Sequence, residues 1–194
     1  TVKGIYYLGG LVGELHTGSI THAYSRSNVN GEWYIGGLVG NIFNSLVSNS
    51  YALGSAYGWG YLGGFIGLNS GTSIVTNCYS TGLVTGLVSE FGGLMGYSFG
   101  TVTDCFWDVP SSNQVTSAAG TGKTDAEMKA QATFTGWNFT TVWAIKEGVT
   151  YPLLRWQLFA GGDGTAANPF IITNVWELQN MSMNVAANYT LGND

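Results

Sequence analysis

Apolar and polar positions along this chain recur in columns about one coil apart, not along a helical stripe. The centre of each unit is an apolar pair held between glycines. It reads Gly9-Gly10-Leu11-Val12-Gly13, then Gly36-Gly37-Leu38-Val39-Gly40, Gly63-Gly64-Phe65-Ile66-Gly67 and Gly92-Gly93-Leu94-Met95-Gly96. The starts are 27, 27 and 29 residues apart (36−9, 63−36, 92−63). An aromatic follows each first glycine after 14 to 16 residues: Tyr24, Tyr51, Tyr79 and Phe106. Four positions before these aromatics lie Ile20, Val47, Val75 and Val102. Three before are the hydroxyls Thr21, Ser48, Thr76 and Thr103, and two before are His22, Asn49, Asn77 and Asp104. One before are Ala23, Ser50, Cys78 and Cys105. A fixed period of this size marks stacked supersecondary units.

Like residues fall on like, as they do when each repeat is one turn of a parallel solenoid stepped by the strand spacing of ~4.8 Å. The reading is an all-β, right-handed parallel β-helix of about four turns over 1–108. The hand follows the general rule for parallel crossovers. A 27-residue turn has room for three short strands and three bends. The His/Asn/Asp column suits a bend, because such residues tolerate left-handed backbone and cap their own turns. The glycines serve close approach or positive φ. Residues 1–108 lack the charged helix formers of a helical repeat, and 27 residues are few for a propeller blade of ~40.

After Asp108 the period stops. Residues 109–160 read as a small α+β capping segment. It has a Ser/Thr/Gly-rich loop over 109–123, a helix over 125–132 started by the capping box Thr124-Asp125-Ala126-Glu127, and a hairpin within 137–157. Such a segment is expected to cover the open end of the last turn. Residues 161–194 restart, with a glycine turn, a strand at 169–172, a helix over 175–183 capped by Asn174 and a strand at 189–191. They read as the start of a further β-helix module or a segment connecting subunits.

Composition narrows the chemistry. Charged residues are 9% of the 194, against about 25% in ordinary domains, while 45% are hydrophobic and Gly numbers 30. Net charge is −5 with six Lys plus Arg, which leaves no basic stripe for nucleic acid. No apolar run approaches the ~20 residues that span a bilayer. A leader would lie upstream or be already removed.

The motifs that invite a functional reading are each weighed against a plainer one. Ser117-Ala118-Ala119-Gly120-Thr121-Gly122-Lys123-Thr124 misses the phosphate loop at its first glycine and has no preceding buried strand, so it reads as a flexible connector. His16 and His22 lack zinc spacing and read as solvated turn histidines. Asp104 and Asp108 read as bend caps before a catalytic pair. Asp163 alone is thin evidence for Ca²⁺. Trp33, Trp59, Tyr61 and Phe91 are candidates to stack on sugars, with corner packing the heavier alternative. Cys78 and Cys105 fall on adjacent turns within disulfide reach, and two buried thiols are the equal alternative. No cofactor is expected.

The four glycine phrases and the trailing Asn77-Cys78-Tyr79-Ser80-Thr81-Gly82 and Asp104-Cys105-Phe106-Trp107-Asp108 resemble the GLUG motif, a glycine-rich repeat of bacterial surface proteins. The resemblance continues through Gly120-Thr121-Gly122-Lys123-Thr124, Thr133-Phe134-Thr135-Gly136-Trp137 and Tyr151-Pro152-Leu153-Leu154-Arg155-Trp156. It implies an extracellular or cell-surface, non-enzymatic adhesive rod of filamentous-haemagglutinin type, with a host surface, a glycan or further copies as partners. The alternatives are a head-to-tail filament subunit, a carbohydrate-binding or carbohydrate-active β-helix, and the stalk of an IgA-peptidase-like protein.

Overall fold

The computed structural model describes residues 1–87 and 90–192, in two compact units, Thr1–Met128 and Lys129–Asp194. The first unit is a parallel β-solenoid. Its second coil carries strands Val29–Asn30, Trp33–Gly36, Val39–Phe43 and Leu46–Ala52, each paired in parallel with its equivalents above and below. Four coils build four sheets along the axis, one more than the three strands expected per turn. The extra corner lies at the glycine pentad, where Gly36 ends one strand and Val39 opens the next.

Close approach, not positive φ, explains the pentads. A Cβ on Gly36 would lie 1.9 Å from the carbonyl oxygen of Val39, and one on Gly63 2.0 Å from that of Ile66. Neither glycine is among the positive-φ residues. The chain turns so tightly that only a hydrogen fits inside the corner.

The 27-residue register survives its irregularities because extra residues fall in bends. Ser70 pairs with Phe43, 27 apart, but Ile74 pairs with Leu46, 28 apart, so the inserted residue lies in the Gly71–Ser73 bend. The apolar pairs of the last three pentads, Leu38 and Val39, Phe65 and Ile66, Leu94 and Met95, fill one axial core with Val47, Val75, Cys78, Cys105 and Trp107, and Val12 packs against it while Leu11 is exposed. Val29, Ile35, Ala56, Leu62 and Val84 fill a second.

Residues 109–123, expected as a loop with 117–124 a flexible connector, are bonded to the fourth coil. They make a shortened fifth coil: Thr121–Lys123 pairs with Phe106–Asp108, 15 residues away instead of 27. The amide of Gly93 donates to Thr116 at 3.0 Å, the amide of Ala118 to Met95 at 3.1 Å, and the Ser117 hydroxyl accepts from the Met95 amide at 2.9 Å. A Ser/Thr/Gly stretch can do this because ladder bonds need backbone and small hydroxyls, not a hydrophobic pattern.

The capping box is present. Thr124 Oγ1 accepts from the Glu127 amide at 3.3 Å, and the Thr124 amide donates to Glu127 Oε2 at 2.8 Å. Its helix is shorter than expected, Asp125–Met128. Beyond it the Gln131 amide donates to Glu147 and the Lys129 carbonyl accepts from the Gly148 amide.

The second unit contains the expected hairpin as Trp143–Ala144 against Leu153–Leu154. It also contains a parallel pair, Phe170–Ile172 with Tyr189–Leu191, joined through helix Val175–Asn180. Asn174 caps that helix, its side chain accepting from the Trp176 and Glu177 amides at 3.0 Å. The division at 160/161 is bridged by a common core: Ala144, Leu158 and Phe159 pack with Phe170 and Ile172. Phe159 stacks on Phe170 with centroids 4.4 Å apart and meets Tyr189 edge-on. A break there would expose those rings to water, so 161–192 completes a fold with the residues before it.

Candidate functional site

The solenoid offers columns, each repeating like groups one rung on, and an open groove along one bend lined by Thr17, Ser19, Asn44, Leu46, Thr72 and Ile74. The bend column is the most uniform. His22, Asn49, Asn77 and Asp104 have φ of 53°, 46°, 54° and 50°, all left-handed. This costs an ordinary side chain ~1–2 kcal/mol, and short polar groups tolerate it best. The next residue holds the bend shut. Ser50 Oγ donates to the Ser48 carbonyl at 2.8 Å, Cys78 Sγ to Thr76 at 3.2 Å, and Cys105 Sγ to Thr103 at 3.1 Å. Both cysteines are buried free thiols occupying the place of a serine. Burial, then the neighbouring Cys105, pushes the Cys78 thiol well above its ordinary value, so it stays protonated and able to donate.

The next column is a buried aromatic stack. Tyr24 and Tyr51 have centroids 5.3 Å apart, Tyr51 and Tyr79 4.9 Å apart with planes 7° from parallel, and Phe106 pairs in register with Tyr79. The hydroxyl column runs beside the bend, with Ser48 Oγ donating to Thr21 at 3.1 Å and Thr103 Oγ1 to Thr76 at 3.2 Å.

A second aromatic stack, exposed at Tyr7 and Tyr97 and half-buried at Tyr34 and Tyr61, escaped the sequence reading apart from Tyr61. Tyr7 and Tyr34 stack at 4.9 Å, Tyr34 and Tyr61 at 5.5 Å, and Tyr97 meets Tyr61 edge-on at 5.3 Å. The available signal was a tyrosine two positions before each of the first three pentads. At these spacings the rings cover one another's faces and offer water their edges and hydroxyls. Glu90, then burial, raises the Tyr61 phenol above its ordinary value. Of the other sugar-stacking candidates, Phe91 packs against the second core. Trp33 lies across Gly60, where an added Cβ would meet its ring at 2.2 Å. Trp59 is half exposed.

The remaining candidates do not assemble into a centre. Asp108 is fully buried and caps a short helical turn through the Ser111 amide, whereas Asp104 sits in its exposed bend. His16 pairs with Glu14 at 2.9 Å, and His22 with the Thr21 hydroxyl. Bonds from His16, then Asn41, hold the Glu14 carboxyl below its usual range. Ser117 is tied to the fourth coil, and Lys123 lies 3.5 Å from Glu127. Asp163 accepts from the Thr165 amide at 2.9 Å, which lowers its carboxyl. Among the described residues no three His, Cys, Asp or Glu side chains converge as metal ligands. No helix among them is long and apolar enough to cross a membrane.

Comparison with known proteins agrees with the coil geometry. Residues 31–57 and 60–85 match the family model described as the GLUG motif. They run from the second coil through the third to the first strand of the fourth, Val84–Gly86, and neighbouring coils pair with them in register. Over 86 residues the chain is 36% identical to a protein of Evansella cellulosilytica described as a putative Gly-rich membrane protein. The match covers 40% of this chain and 10% of that relative, so the chain spans about a tenth of the relative's length. No solved structure matches.

Proposed function

This chain carries GLUG repeats, each laid down as one coil of a β-solenoid, and from that premise we propose that it is a non-enzymatic, surface-displayed scaffold with an adhesive role. The observation that carries the reading is the like-on-like stacking of outward groups. A hydroxyl column and a partly exposed tyrosine column each repeat at the rung spacing. A partner with its own repeat, such as a glycan on a host surface, meets several equivalent weak contacts at once, and linked weak contacts multiply. The low charge suits this role, since hydroxyls and amides stack without the repulsion of like charges. The relative's description as a membrane protein supports placement at a cell envelope.

The test has two arms. Antibody raised against the chain is expected to label intact producing cells, and label appearing only after permeabilisation overturns surface display. Surfaces coated with the chain are expected to retain cells or glycan-bearing beads, and retention no greater than on an inert protein coat overturns adhesion.

A further inference from the structure

The second unit holds a cavity of about 370 Å³, lined by Arg155, Trp156, Asp163 and the two threonines at 140 and 141, with Phe159 among its apolar walls. That volume lies at the lower end of the ~300–1,000 Å³ of small-molecule sites. Its unusual member is Arg155. One guanidinium nitrogen donates to the Phe139 carbonyl at 2.7 Å, while Nε is enclosed with no hydrogen-bond partner. Among the described residues Arg155 forms no ion pair, although Asp163 lines the same cavity. Desolvation lowers the Arg155 pKa from its ordinary value. A half-buried cation without an acid carries a desolvation cost that an arriving anion would offset. The guanidinium fork matches a carboxylate in shape.

The other walls narrow the ligand. Trp156 lines the cavity and is 56% exposed, and an indole is a surface on which the C–H face of a ring packs. Asp163 is held ionised by the Thr165 amide, so that end of the cavity repels a second negative charge and accepts from neutral hydroxyls. Thr140 and Thr141 line it too, the Thr141 hydroxyl already accepting from Asn138 at 2.8 Å. One carboxylate, one apolar ring face and several hydroxyls describe a sugar acid. A peptide C-terminus would instead ask for a nest of free backbone N–H groups.

We propose that this cavity binds a carboxylate-bearing sugar, with the carboxylate on Arg155, the ring on Trp156 and hydroxyls at Asp163. The site lies wholly within residues 140–170 and does not depend on adhesion by the solenoid.

The test is titration of the whole 194-residue chain with glucuronate, glucose and acetate, followed by saturation-transfer NMR and calorimetry. Glucuronate is expected to saturate, with glucose and acetate each about tenfold weaker or more. Trp156→Ala, at an exposed ring, is expected to lower glucuronate affinity about tenfold with the fold intact by circular dichroism. Arg155→Lys keeps the charge and loses the fork, and is expected to do the same. Equal binding of glucose overturns the carboxylate contact. Equal displacement by acetate or a peptide carboxylate reduces the cavity to a bare anion site and overturns the sugar. Absence of saturation with glucuronate at tens of millimolar, or unchanged affinity in both variants, overturns the proposal.

Discussion

Residues 1–128 and 129–192 bury their apolar side chains by opposite means. In the first, a residue's neighbour is its own equivalent one coil away: Val47 under Val75, Tyr51 under Tyr79, Ile66 beside Met95. In the second, unlike residues at irregular separations meet. Trp137 tilts against Trp143 at 4.5 Å, and Phe159, Phe170 and Tyr189 meet as a triangle of rings. The solenoid spends its specificity on backbone geometry, with glycines at tight corners and short polar residues at left-handed bends. The second unit spends it on a few large rings. The two should therefore fail differently.

The largest effects come from attacking each unit by its own logic. Trp143→Ala, at a fully buried indole, is expected to cost about 3–5 kcal/mol. Gly63→Ala, whose Cβ would lie 2.0 Å from the Ile66 carbonyl, is expected to cost about 3 kcal/mol or more. Regional hydrogen exchange reads both. Protection should fall in 129–192 for the first variant and in 1–128 for the second. An alanine at 63 tolerated without loss would show that the corner relaxes and is not set by close approach.

A smaller effect is expected at the bends. Asn77→Ala should destabilise by about 1 kcal/mol, whereas Asn77→Gly should be neutral or better, since φ is 54° there. Equal melting temperatures for the two variants would remove the backbone explanation. Smaller again is Cys78→Ser, expected to change stability by less than about 1 kcal/mol because Ser50 already fills that place one coil away. Cys78→Val removes the donor over the bend and should cost more. Thiol titration of the unfolded native protein, without reductant, should count two free thiols.

Acidification should have the smallest effect. Glu14 has a lowered pKa in the fold, through His16 and then Asn41. Its contribution is therefore present above the unfolded value and lost as pH falls through the lowered folded one. Asp163 and Glu177 in the second unit shift the same way through turn and cap amides. Both units should soften modestly on the acid side. Only the solenoid should lose an inter-coil bond, from Asn41 Nδ2 to Glu14 at 2.8 Å. Glu14→Gln should flatten the acid limb of melting for 1–128 and leave that for 129–192 unchanged.

By itself the sequence determined the coil, its 27-residue register, the bend column and the caps at Thr124 and Asn174. In a parallel in-register stack, position in the repeat and contact in space are one property, so aligned columns are already a contact list. Only the tertiary structure decided the fourth strand per turn, the 15-residue coil at 109–123, the partly exposed tyrosine stack, the merger of 144–159 with 170–189 and the lack of an ion pair at Arg155 among the described residues. Those features join unlike residues across irregular distances, or depend on backbone bonds that any small residue can make. No periodic signal marks them, and only packing and hydrogen-bond satisfaction in three dimensions select them.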